Sequence, residues 1–455
     1  MSLLLTCEVC IIKNFQIFII TLLISTISLL SAPAHAQSII RDTELEEAMT
    51  KWSSDIIRAA GLSPQSVNFI FIDDRQINAF VAGGQNVFLY TGLIDRTERL
   101  EELLGVVAHE VGHISGGHLI RTREAVENAS YETIIGTLVG IGAALAAGNA
   151  GAASAAGAAA SSVGQRSFFA HSRVQESAAD QAGLTFLNQA GIDPKGLLTF
   201  FEKMEDEDLL PQTQQLEYVR THPLNRNRMS AVIRRAQESR YFGQGVPQNW
   251  EAEYYLIKAK LLGFISPERV IWEYGDRDTS LPARYARAIA SYRQNKVDDA
   301  VSKINALLNE YPQNPYFHEL KGQMLVDFGR VNDALPSYRT ALSLNPDAAL
   351  IRIAYAHALI ETSRGDATRL NEAIDQLKKA NIREKRSTRL HRLMATAYGR
   401  MNDEGRASLH LAEEALLQGR KDFAQSRATL AKQKLPNGSA DWFRAQDILN
   451  YLEQG

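Results

Sequence analysis

Only two cysteines occur in the chain, Cys7 and Cys10, and both lie in its first 36 residues. Beyond them there is no thiol to form a disulfide, attack a substrate or bind metal as a Cys-x-x-Cys pair. An excess of either charge is missing as well. Forty-nine Lys and Arg against 52 Asp and Glu leave a net charge of −3, which gives nucleic acid nothing to bind. Large apolar runs are scarce too. The main one, residues 15–30, follows Lys13 and precedes "SAPAHAQ", where Ala34-His35-Ala36 makes a small-x-small cleavage site. This layout predicts a signal peptide over 1–36, removed after Ala36, and an exported mature protein free of cysteine. The competing reading is an uncleaved N-terminal anchor.

Charge is absent from one internal stretch, between Glu132 and Arg166. Its length would permit a membrane span. Only its first half carries large apolar side chains, however, and the rest is Ala, Gly and Ser, which bury little area. The segment 133–165 therefore reads as an Ala/Gly-rich lid over a cleft, with peripheral membrane contact as a further role.

The region 37–245 mixes helix and strand patterns. "LEEAMTKWSSDIIRAAG" has apolar residues at helical spacing and closes on Gly61. "VNFIFID" and "NAFVAGGQNVFLYTGLI" read as strands, with a turn or bulge at Gly83-Gly84. "RLEELLGVVAHEVGHISGGHLI" is helical through at least His113, and "SRVQESAADQAGLTFLNQAG" is helical up to Gly191 and Pro194. "YFGQGVPQNW" marks a boundary, followed by a helical linker over 246–283.

Residues 284–455 repeat. Pro312 and Pro346 are 34 apart, as are Ala300 and Ala334, and Ala373 and Ala407. That period, with small residues at fixed places, is the tetratricopeptide signature, and it predicts about four antiparallel helix pairs. The fold class expected is an α+β domain, mainly helical with a small sheet, followed by an all-α tetratricopeptide solenoid.

The chemistry concentrates in "VVAHEVGHISGGHLI", residues 106–120. On a helix, His109 and His113 share a face and can offer nitrogens to one zinc ion. Glu110, about 100° around the helix, can instead reach a water on the open side of the metal and act as general base. A third ligand is needed. His118 is one residue short of the spacing of a longer histidine motif, in which the third histidine would stand at Leu119. Glu176 in "ESAAD" is the better candidate, completing a His2Glu site for one zinc per chain. Asp180, four residues on, can hold the N–H of a ligating imidazole. In "RTHPLNRNR", His222 can stabilise an oxyanion or bind zinc as a fourth ligand, and Arg228 can hold the His222 loop or the oxyanion. The stretch "GGQNVFLYTG" can supply a sheet edge to an extended peptide.

"NAF…GG…V…TGL", "HEVGH", "ESAAD" and "THPLNRNR", in this order, resemble the gluzincin peptidases related to HtpX and the CAAX prenyl proteases, in a periplasmic form with a tetratricopeptide tail. The resemblance implies zinc on His109, His113 and Glu176, Glu110 as base, Asp180 behind the ligands, and His222 ligating zinc in a latent state. It implies a zinc endopeptidase of the periplasm that acts in outer-membrane quality control. The clients would be unfolded or stalled outer-membrane β-barrel proteins, and the tetratricopeptide domain would engage the β-barrel assembly machinery. The alternative is a tetratricopeptide chaperone whose peptidase site is largely latent, and a third reading is an intramembrane peptidase with 133–165 in lipid.

Overall fold

The computed structural model describes residues 38–118, 173–208, 218, 221–224 and 226–454. The expected signal peptide and the 133–165 segment lie outside the described residues. Among those described, no helix is long and apolar enough to cross a membrane.

The first half builds a small mixed sheet with helices against it. Strands β1 (Ser38–Ile40), β2 (Asn68–Asp73), β3 (Ala79–Ala82) and β4 (Asn86–Tyr90) lie in the order β1-β2-β4-β3. β2 and β4 are parallel, and β3 and β4 form a hairpin. The turn sits at Gly83 and Gly84, whose φ of 59° and 97° require glycine. Side chains alternate across the sheet: Phe69, Phe71, Val87 and Leu89 enter the main core, whereas Ile70, Ile72, Phe88 and Tyr90 pack on the other face. Two expectations change here. β4, within "GGQNVFLYTG", is an inner strand with neighbours on both sides, and the edge strands are β1 and β3. "TGLIDR" leaves the sheet as a short helix, α2 (Thr91–Arg96), because Thr91 Oγ1 donates to Asp74 O at 2.9 Å and turns the chain back over β2.

Four longer helices surround the core: α1 (Thr43–Ala59), α3 (Leu100–Ser115), α4 (Arg173–Ala190) and α5 (Lys195–Asp208). α1 starts on Asp42, which accepts from Leu45 N–H, and buries Trp52, Ile56 and Ile57. α3 is buried from Leu100 to Ile114, so its polar residues must find partners inside the protein. α6 (Arg226–Gln237) closes the domain, and α7 (Gln248–Ile265), in the expected linker, adds Tyr254, Ile257 and Leu261 to the same core.

The second half, beyond the short α8 (Val270–Tyr274), consists of helix hairpins. They are α9 (Leu281–Arg293) with α10 (Val297–Glu310), α11 (Pro315–Asp327) with α12 (Val331–Leu344), α13 (Ala349–Thr362) with α14 (Ala367–Ala380), α15 (Thr388–Arg400) with α16 (Glu404–Leu417), and α17 (Lys421–Lys434) with α18 (Ala440–Gln454). That makes five pairs among the described residues, one more than the repeat spacing predicted. The last two pairs have no proline before them to announce them. Small residues at the hairpin contacts do what the period requires: Ala288, Ala300, Ala334, Ala356 and Ala373 are fully buried, and a Cβ on Gly322 would meet the Tyr338 ring at 2.8 Å.

α1 and Arg41, two residues before it, tie the halves together. Arg41 pairs with Glu384, Glu44 accepts from Lys260 and Tyr285, and Glu47 accepts from Tyr316 and Asn345.

Candidate metal centre

Two glycines decide where the site can form. α3 and α4 cross where a Cβ on Gly112 would stand 2.7 Å from Ala179 O and one on Gly183 would stand 3.0 Å from the Ala108 carbonyl. Only with hydrogen at both places can the backbones come that close. The crossing sets Glu176, one turn before Ala179, against the imidazoles of α3.

The nitrogens His109 Nε2 and His113 Nε2 are 3.1 Å apart. Glu176 lies 3.4 Å from the first and 3.2 Å from the second. His222 Nδ1 lies 3.3 Å from His109 Nε2 and 3.2 Å from each Glu176 oxygen. All four side chains are buried. Zinc bonds of about 2.0–2.1 Å in a tetrahedron place ligand atoms about 3.3 Å from one another. The spacings among these four groups match that, so the cluster fits a tetrahedral cation.

Behind the ligands stands a second layer. His109 Nδ1 lies 2.9 Å from Asp180 Oδ1, bent away from a straight N–H···O line. Arg228 grips Asp180 through Nε at 2.7 Å and Nη2 at 2.9 Å, while its Nη1 donates to Pro223 O at 2.6 Å. Arg228 therefore fastens the His222 loop to the ligand helix. His118 Nδ1 sits 3.2 Å from His113 Nδ1. The spacing that disfavoured His118 as a ligand places it behind one instead.

Burial pushes His113 down to about 2. Burial acts the same way on His109, but the carboxylates of Asp180 and Glu176 outweigh it and raise His109 to about 10. Glu176 is held below the usual carboxylate range despite its burial, by His222, His109 and His113. A metal ion at this place would compete with protons for the same nitrogens and carboxylates.

Glu110 is fully buried, and neither of its oxygens has a hydrogen-bond partner among the described residues. Burial raises its pKa, with His222 and His109 opposing. His222 Nε2 is 3.6 Å away. Sequence reasoning passed over Tyr218. Its ring lies 4.8 Å from that of His222, and its buried hydroxyl is also unpartnered among the described residues. It passed over the Ala79 carbonyl as well, which takes His222 Nε2 at 3.2 Å; no one-dimensional pattern marks a backbone atom.

Residues 41–236 match the model of Peptidase family M48, and residues 278–429 match that of the Tetratricopeptide repeat. The Beta-barrel assembly-enhancing protease of Escherichia coli (strain K12) is 26% identical over 424 residues, covering 91% of this chain and 84% of that protein. Metalloprotease LoiP of the same organism is 28% identical, covering 44% of this chain and 74% of that one. The Mitochondrial metalloendopeptidase OMA1 of Schizosaccharomyces pombe is 27% identical, covering 39% and 49%.

Proposed function

We propose that this metalloprotease, whose residues 41–236 belong to peptidase family M48, is a zinc endopeptidase of the periplasm that cuts stalled β-barrel proteins and assists their assembly. The observation that carries the reading is the convergence of His109, His113 and Glu176 beside Glu110, whose oxygens accept no hydrogen bond among the described residues. The likeness to a Beta-barrel assembly-enhancing protease over most of both chains supports the choice of client.

His109, His113 and Glu176 would hold the zinc, which supplies Lewis acidity toward a peptide carbonyl and toward water. Glu110 takes a proton from the attacking water and returns one to the departing amine. Its burial and raised pKa suit both halves of that exchange. Asp180 fixes the orientation of His109, and Arg228 fixes Asp180. The substrate enters as an extended strand along β3, an edge strand of the sheet whose Ala79 carbonyl His222 holds. A β-barrel protein that has stalled exposes such strands unpaired. The solenoid offers partners a cavity of about 360 Å³, lined by Glu319, Asp327, His357, Arg386 and Arg389 beside Arg41.

The presence of His222 among the ligands favours a second reading, in which the enzyme is latent at rest and the solenoid acts chiefly as a binding module. Casein cleavage separates the two. Glu110→Gln should abolish cutting and His222→Ala should raise it. Silence of wild type and His222→Ala alike, with client binding intact, would favour the binding module.

A further inference from the structure

The fourth helix hairpin of the solenoid carries a cluster that the peptidase centre does not use. His391, early in α15, and His410, midway along α16, are both buried. Their Nδ1 atoms face each other at 3.1 Å. Glu413 follows His410 by three residues and so shares its helix face. It brings Oε2 to 3.3 Å from His391 Nε2. One ligand atom from each of the three side chains lies within 4.8 Å of the other two.

The geometry suits a cation. Nitrogen ligands of a tetrahedral zinc ion stand about 3.3 Å apart, close to the separation of the two Nδ1 atoms. Only one proton fits between two nitrogens that face each other, so one lone pair already points inward. An ion entering there sends that proton to the far nitrogen of its own ring, and both lone pairs are then free to bind. The other groups are held in place. Arg444, on α18, donates Nη2 to Glu413 Oε1 and leaves Oε2 on the imidazole side. Tyr398 stacks on the His410 ring, with centroids 5.7 Å apart and planes 3° from parallel. The Glu413 side chain is 17% exposed, which gives an ion a way in and a water the fourth position.

We propose that His391, His410 and Glu413 form a second metal site, separate from the peptidase centre, which takes one zinc ion with water as its fourth ligand. It does not rest on the peptidase reading. Two imidazoles and a carboxylate are donors that zinc accepts, and calcium and magnesium, which prefer oxygen, do not. The ion joins α15 to α16 directly and to α18 through Arg444. Terminal repeats of a solenoid have a neighbour on one side only, so zinc here stiffens the end that packing supports least. Three ligands, one of them shared with Arg444 and open to water, hold zinc less firmly than the four buried groups of the peptidase centre. The site therefore fills from added zinc and empties on dialysis.

The test uses the full mature chain carrying His109→Ala and Glu176→Ala, which disable the peptidase centre, after metal has been stripped. Zinc is then titrated in competition with a chromophoric chelator. This parent should take up zinc, and Glu413→Gln should weaken the uptake roughly tenfold or more. Glu413→Gln can still accept from Arg444, which guards the fold. His410→Gln should weaken uptake in the same way. Added zinc should slow hydrogen exchange in α15, α16 and α18 of the parent but not of Glu413→Gln. A parent that takes up no zinc, or uptake that neither Glu413→Gln nor His410→Gln weakens, would overturn the site.

Discussion

Arg228 and Asp180 form a two-pronged pair, Nε to Oδ2 at 2.7 Å and Nη2 to Oδ1 at 2.9 Å, with both side chains buried. Asp180 faces His109 with one oxygen, and Arg228 reaches the Pro223 carbonyl beyond it. One guanidinium thus links a residue behind the ligands to the loop that carries the fourth imidazole.

Asp180→Asn keeps the shape but removes the charge facing His109. Metal affinity, measured by chelator competition, should fall 10- to 100-fold, and the unfolding midpoint should drop as well, because the buried Arg228 loses its bidentate anion. Arg228→Met leaves Asp180 buried without its cation and should destabilise the protein by about 3–5 kcal/mol, seen as a lower unfolding midpoint. Unchanged metal affinity in Asp180→Asn would mean that the carboxylate does not position His109.

The helix crossing is the next test. Gly112→Ala places a methyl 2.7 Å from Ala179 O, where backbone has to move. A cost of about 1–3 kcal/mol is expected for such overpacking, together with weaker metal binding, because the shift separates Glu176 from both imidazoles. A replacement at the exposed Gly438, which has no neighbour within 4 Å, leaves metal binding unchanged. Equal metal affinity in Gly112→Ala and wild type would contradict the role given to the crossing.

The junction of α1 with the solenoid makes stability depend on pH. Burial pushes Glu319 up to about 8 despite nearby Lys260, with Asp42 and Glu44 adding to the rise. Below the ordinary carboxylate value both folded and unfolded chains are protonated there. As pH rises from about 4.5 to 8, the unfolded chain gives up its proton while the folded one retains it, so this group lowers stability across that window. Glu319→Gln removes the dependence. Between pH 5 and pH 8.5, wild type should lose on the order of a few kcal/mol relative to the variant, read from denaturant midpoints. Parallel curves for the two proteins would contradict it.

Much of this was legible in the sequence, for definite reasons. Helical spacing put His109 and His113 on one face, and Glu176 and Asp180 on another, because four residues nearly complete a turn. The 34-residue period gave the hairpins because small residues must recur where helices touch. What stayed hidden depends on the third dimension. Which strand forms the edge follows from β2 pairing in parallel beside β4, and a run of alternating residues contains no such information. The contact of His118 depends on the turn at Gly117, whose φ is 65°, and that of Arg228 on its reach back to the Pro223 carbonyl. The hold of Ala79 on His222 joins residues 143 apart through a backbone atom.

Zinc content is the most direct measure of the central claim, that side chains of two crossing helices make one metal site. Elemental analysis of the purified mature chain should find about one zinc in wild type and in Glu110→Gln, and close to none in Glu176→Ala or His109→Ala. Full zinc in Glu176→Ala and His109→Ala alike would show that the metal is held elsewhere, and the account would fall.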